Sequence, residues 1–131
     1  MAQALVDTSA IYALLARQDA NHHKALTVLR SLPRRGLTPV LSNFIVAETH
    51  ALLLSRMGSK VARDWLMKQI WTIEAVTASD EKKAKEIIER YDDKTFSYTD
   101  ATSFALMDRL EIKEAFAFDV HFLQYGLKLL T

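Results

Sequence analysis

Asp7, Glu48, Asp100 and Asp119 are carboxylates set among residues that belong in a core. Asp7 closes the apolar run Ala4-Leu5-Val6 and is followed by Thr8-Ser9, while Asp119 closes Ala115-Phe116-Ala117-Phe118 and leads into Val120-His121-Phe122. Both read as acids at strand ends. Glu48 has Phe44, Ile45, Ala51 and Leu52 at helical offsets, and Asp100 has Ser103 and Phe104, so each lies on the packed face of a helix. Charged side chains are rarely buried unless paired or metal-bound, and the sequence holds no matching set of buried bases. Oxygen donors without cysteine or a histidine pair suit Mg²⁺ or Mn²⁺. One or two such ions activate water and steady a leaving oxygen, as hydrolysis of a nucleic acid phosphodiester requires.

Folding alone accounts for some of these acids taken singly. Asp7 can cap a helix, Asp100 can sit at a helix N-terminus to oppose the dipole, and Asp119 can start a turn. Glu48 resists that explanation: it is too deep in its helix for a cap, and its i−4 and i+4 neighbours are Phe44 and Leu52, neither a base. His121, two residues after Asp119, is placed to contact a substrate phosphate or to hold a metal-binding acid from behind, against the plainer reading of a surface loop histidine. His22, His23 and His50 have no ligand spacing. Asp92 and Asp93 read as solvated loop acids and Asp80 as a helix cap. Arg17, Lys24, Arg34, Arg35, Arg56, Lys60, Arg63 and Lys94 are candidates for the border of an RNA groove, although solvated helix faces explain most of them.

The elements that must position these groups alternate. A strand at 5–7 feeds a helix at 10–15 capped by Asp7-Thr8-Ser9. A helix at 21–32 stops at Pro33 and Gly36, and a strand at 38–42 leads through Ser42-Asn43 into a helix at 44–57 ended by Gly58. Ser59 caps a helix through residue 70, followed by a strand at 72–76 and a charged helix opened by Ser79-Asp80 that reaches Tyr91. Thr99 caps a helix at 100–110, a fourth strand spans 115–118, and 127–130 adds a short fifth. Such alternation predicts an α/β fold: a mainly parallel sheet of four to five strands with helices on both faces, its ligands at the edge where the strands end. Asp7 and Asp119 share that edge; placing Glu48 and Asp100 there rests on both lying near their helix starts.

The 131 residues, half of them hydrophobic, suit one domain over 1–131. With no cysteine, disulfides, thiolate metal sites and cysteine nucleophiles are excluded. The longest apolar stretch is far below membrane-spanning length and no export signal is visible, so a soluble cytoplasmic protein with no membrane partner is expected. Formal net charge is +1, and neutralising four acids with metal would leave a positive remainder suited to a polyanion.

Together, Asp7-Thr8-Ser9, Val46-Ala47-Glu48-Thr49, Thr99-Asp100-Ala101 and Phe118-Asp119-Val120-His121-Phe122, in this order and over this length, resemble the PIN-domain family, and specifically the VapC-type toxin ribonucleases of type II toxin–antitoxin pairs. The resemblance covers essentially the whole chain. It implies a Rossmann-like parallel sheet, a Mg²⁺ site that Mn²⁺ also fills, and endonucleolytic cleavage of RNA. It also implies a homodimer and silencing by a small antitoxin. Carried onto this chain, Asp7, Glu48 and Asp100 are the primary catalytic and metal-binding acids, Asp119 is the fourth, and Ser9 is the supporting hydroxyl, with Thr99 and His121 as further supporting residues. Many relatives carry Thr or Ser where this chain has Ala117, so the orientation of Asp119 is the point of departure. Two rivals remain at this stage. A PIN-like domain that binds RNA or protein without cutting is one, and a phosphatase with a confined pocket is the other.

Overall fold

Ala4, Leu5 and Val6 are all fully buried, and three consecutive buried residues in a strand require cover on both faces of the sheet. That strand, β1 (Ala2–Val6), is the centre of a five-stranded sheet in a computed structural model that describes residues 2–131. Along the chain follow α1 (Thr8–Leu15), α2 (His22–Ser31), β2 (Leu37–Ser42), α3 (Asn43–Met57), α4 (Ser59–Lys68) and β3 (Thr72–Glu74). Then come α5 (Ala78–Arg90), α6 (Tyr98–Leu110), β4 (Glu114–Phe116), α7 (His121–Tyr125) and β5 (Lys128–Leu129). Strand order is β3-β2-β1-β4-β5, and every pairing is parallel.

This order creates the site. From β1 the chain winds outward through β2 to β3, then returns through α5 and α6 to lay β4 on the other side of β1. The direction of winding therefore reverses between β1 and β4, and a crevice opens beyond their carboxyl ends. Val6 pairs with Phe116, so Asp7 leaves β1 just where β4 ends. The amide of Asp7 donates to Phe116 O at 2.9 Å, fixing that register beyond the last strand residue. Phe116 of β4, Phe104 of α6 and Phe122 of α7 are fully buried, with Tyr125 stacked on Phe104 at 4.6 Å between centroids.

Four local features differ from the sequence expectation. α5 and α6 start earlier than at Ser79 and Asp100, because Thr77 and Ser97 are the true caps; Asp80 and Asp100 are each the third helical residue and close a capping box. α4 begins behind Gly58, whose φ of 91° ends α3, with no side-chain cap from Ser59, and it stops at Lys68 rather than at residue 70. β3 and β4 are three residues each, β4 ending at Phe116. The short helix α7 occupies what reads in sequence as the loop after the last acid.

Candidate metal centre

Asp7 is the N-cap of α1, only 4% exposed, and one oxygen, Oδ2, receives both the Ser9 amide at 3.1 Å and the Ser9 hydroxyl at 2.6 Å. Ser9 Oγ in turn accepts from the Phe118 amide at 3.0 Å. One hydroxyl thus ties the acid after β1 to the segment carrying Asp119, which supplies a constraint on that segment that Ala117 does not. The capping role is real, yet it leaves Asp7 uncompensated. Burial pushes its pKa up, the two Ser9 hydrogen bonds pull down, and the charges of Glu48 and Asp100 push up again, for a value of about 6.

Glu48 lies on the sixth residue of α3, whose start is fixed at the end of β2 by the Ser42 hydroxyl accepting from Ile45 N at 3.0 Å. Its pKa is also raised, first by burial; the Thr8 hydroxyl opposes this, Asp100 and Asp119 reinforce it, and Thr99 opposes it. Glu48 and Asp100 act on Asp7, and Asp100 and Asp119 act on Glu48, so the four acids converge at the carboxyl edge of the sheet. Thr8 and Thr49, both buried, join hydroxyls at 3.0 Å and lock α1 to α3 beneath Glu48. Neither threonine stood out in the sequence, though their adjacency to Asp7 and Glu48 was the available signal.

Asp100, 6% exposed, accepts the Ser97 amide at 3.1 Å through Oδ2, and the same oxygen lies 2.8 Å from His121 Nδ1. Asp119 Oδ1 accepts the His121 amide at 2.9 Å and stands 3.2 Å from Nδ1. His121 is thus not a surface loop histidine. It opens α7, its ring wedged between two acids, edge-on to Phe96 at 5.5 Å and with Nε2 3.2 Å from the Thr95 hydroxyl. Donor atoms of Asp100, Asp119 and His121 all fall within 4.8 Å of one another.

Asp80 shows what a structural acid looks like in this protein. It is as buried as Asp7, but Arg109 grips both its oxygens at 2.9 Å. Burial pushes its pKa up, yet the Arg109 and Thr77 contacts outweigh that and hold it below the ordinary value. Among the described residues no lysine or arginine pairs with Asp7, Glu48, Asp100 or Asp119. An oxygen-rich donor set carrying uncompensated charge, with one imidazole at its rim, fits a hard divalent cation.

The hollow beside Glu48 has a volume of about 500 Å³, is open to solvent, and is lined by Asn43, Phe44, Ala47, Glu48 and Thr99. An open cleft suits a polymer better than a small ester. Of the basic residues, Arg34 and Arg35 cannot border it: they precede β2 and so lie at the opposite end of the sheet, Arg35 reaching Thr131 O at 2.6 Å. Arg56 lies over the Tyr12 ring at 5.4 Å, and Lys94 pairs with Asp93. Among the described residues no helix is long and apolar enough to cross a membrane.

The family model described as PIN domain matches residues 4–128. The chain is 38% identical over 124 residues to the 23S rRNA-specific endonuclease VapC20 of Mycobacterium tuberculosis, covering 92% of each protein. The crystal structure of that VapC20, described as a Sarcin-Ricin loop cleaving toxin, superposes with a TM-score of 0.84 over 94% of this chain and 95% of the other, at 35% identity. A toxin–antitoxin complex from Klebsiella pneumoniae shares the fold, with a TM-score of 0.70 at 15% identity over 98% of this chain and 96% of the other.

Proposed function

This chain belongs to the PIN-domain family, and within it to the VapC type; from that premise we propose that it is a cytoplasmic, metal-dependent endoribonuclease, the toxin of a toxin–antitoxin pair. The observation that carries the reading is the set of four converging carboxylates with no lysine or arginine partner among the described residues, beside Asp80, which has one. Asp7, Glu48, Asp100 and Asp119 hold Mg²⁺ or Mn²⁺, which supplies charge stabilisation at phosphate oxygens and acidifies water. Ser9 orients Asp7 and steadies the segment bearing Asp119 through the Phe118 amide. His121 orients Asp100 and Asp119, and Thr8 and Thr49 fix the depth of Glu48. Ribosomal RNA is the substrate class, on the strength of the 38% identical relative named for it.

An antitoxin partner is supported by an apolar groove of about 470 Å³ between α1 and α4, where Leu14, Leu15, Trp65 and Trp71 line a wall next to Ile70, which is 90% exposed. Exposed apolar surface of this kind is the usual mark of a protein interface.

The test is cleavage of purified ribosomes or total RNA with Mg²⁺ or Mn²⁺, the cut ends being mapped by primer extension. A discrete metal-dependent cut, lost in chelator and in Glu48→Gln, is expected. Metal-independent cutting, or intact RNA at high enzyme concentration, would overturn the reading.

A further inference from the structure

Among the Phe, Tyr and Trp residues, all but Tyr12, Phe44 and Tyr98 belong to the core or pack on it. Tyr12 lies beneath Arg56. The remaining two stand together outside the core, with centroids 5.9 Å apart and planes at 65°, on the two helices that carry Glu48 and Asp100. Phe44 precedes Glu48 by one helical turn, about 5–6 Å between Cβ atoms, and lines the hollow next to it. Tyr98, 36% exposed, is two residues before Asp100.

Tyr98 and the neighbour of Phe44 are each anchored by a hydrogen bond. The Tyr98 hydroxyl donates to Glu81 Oε1 at 2.8 Å, anchoring the ring to α5. Asn43, the neighbour of Phe44 in the hollow, accepts the Val76 amide at its side-chain Oδ1 at 2.8 Å. That assigns the amide orientation and leaves Nδ2 of an exposed residue as a donor. Rigid aromatic faces with a polar donor alongside are what unpaired bases stack on, since every base offers a π-face.

We propose that Phe44 and Tyr98 form a base-stacking subsite, which takes the unpaired base of a nucleotide flanking the scissile phosphate and so sets where RNA is cut. The proposal rests on the ribonuclease reading and goes beyond it: the acids decide that a phosphodiester is hydrolysed, whereas the aromatic pair decides which one. Specificity of this type demands a splayed nucleotide rather than a paired helix, so loops and bulges are favoured over duplex.

The experiment begins with the wild-type cut mapped in total cellular RNA. A synthetic RNA spanning that bond is then compared with versions carrying an abasic nucleotide on its 5′ or 3′ side, using wild type, Phe44→Leu, Tyr98→Leu and Phe44→Trp. Leucine keeps apolar bulk without a ring; tryptophan keeps a ring. One abasic position is expected to lower kcat/KM of the wild type by about 5- to 150-fold, the range for losing a stacked base. Phe44→Leu should lose as much on intact RNA, mainly through KM, with Mn²⁺ affinity and Tm unchanged. Combining the abasic RNA with Phe44→Leu should cost no more than either alone, and Phe44→Trp should retain the sensitivity to the missing base. Losses that multiply, or leucine variants that cut like wild type, overturn the subsite while leaving the nuclease intact. Absence of any cut by the wild type overturns the nuclease reading and the subsite with it.

Discussion

Asp7→Asn should make the metal-free protein more stable, in spite of removing a buried hydrogen-bonding acid. Asparagine keeps an oxygen to accept from the Ser9 amide and hydroxyl and directs its amide group at the neighbouring acids. What it removes is the cost of charging Asp7 in place. The rise from 3.8 to about 6 corresponds to roughly 3 kcal/mol at about 1.4 kcal/mol per pH unit. Because the folded pKa lies above the unfolded one, this stability is present in the wild type below pH 4 and is lost as pH rises through about 6. Thermal melts in chelator should therefore place Asp7→Asn above wild type at pH 8, by roughly 10 °C, with the gap shrinking to roughly a third of that at pH 4.5. Mn²⁺ at about 1,000 times its Kd should reverse the order, since it adds about 4.1 kcal/mol to the species that binds it, more than the roughly 3 kcal/mol cost of charging Asp7. Identical melting at pH 8 in chelator, or equal stabilisation of both proteins by Mn²⁺, would refute the reasoning.

Three further outcomes follow from the same geometry. Arg109→Leu leaves Asp80 buried without its partner and should cost about 3–5 kcal/mol in urea unfolding, while RNA cleavage by the folded fraction persists. Ser103, fully buried on α6, has a hydroxyl without a hydrogen-bond partner; Ser103→Ala should be neutral or stabilise by about 1 kcal/mol, read from the same unfolding curves. His121→Ala should slow cleavage by about 10- to 100-fold, less than Glu48→Gln does; a loss equal to that of Glu48→Gln would make His121 a proton donor instead of a positioning residue.

The alternation of strand and helix, the parallel sheet and the shared edge for Asp7 and Asp119 were legible because the apolar runs 4–6 and 115–118 each end in an acid and turn residues separate the strand and helix patterns between them. Glu48 was legible for a different reason, having no cap to serve and no base within a turn. Helix starts were harder to place. Ser-Tyr-Thr-Asp offers three possible caps at 97–100, and Ser97 is chosen through the capping box that Asp100 closes by reaching back to its amide three residues away. The role of His121 is set by Asp100, a residue 21 positions away that only the return of α6 to the sheet brings near. Asp80 was legible as a helix cap, whereas Arg109, its partner across 29 residues, was not.

The four carboxylates must be a cation site and not a strained remnant of the fold if the chain cuts RNA with metal. Calorimetric titration of the purified protein with Mn²⁺ addresses that directly, with wild type set beside Asp7→Asn, Glu48→Gln, Asp100→Asn and Asp119→Asn, each first shown to be folded. Binding by wild type, weakened at least tenfold by each of the four replacements and unaltered by replacing Asp80 and Arg109 together with apolar residues, is the predicted result. Affinity that survives the loss of Glu48 and Asp100, or a wild type that binds no Mn²⁺, would contradict it.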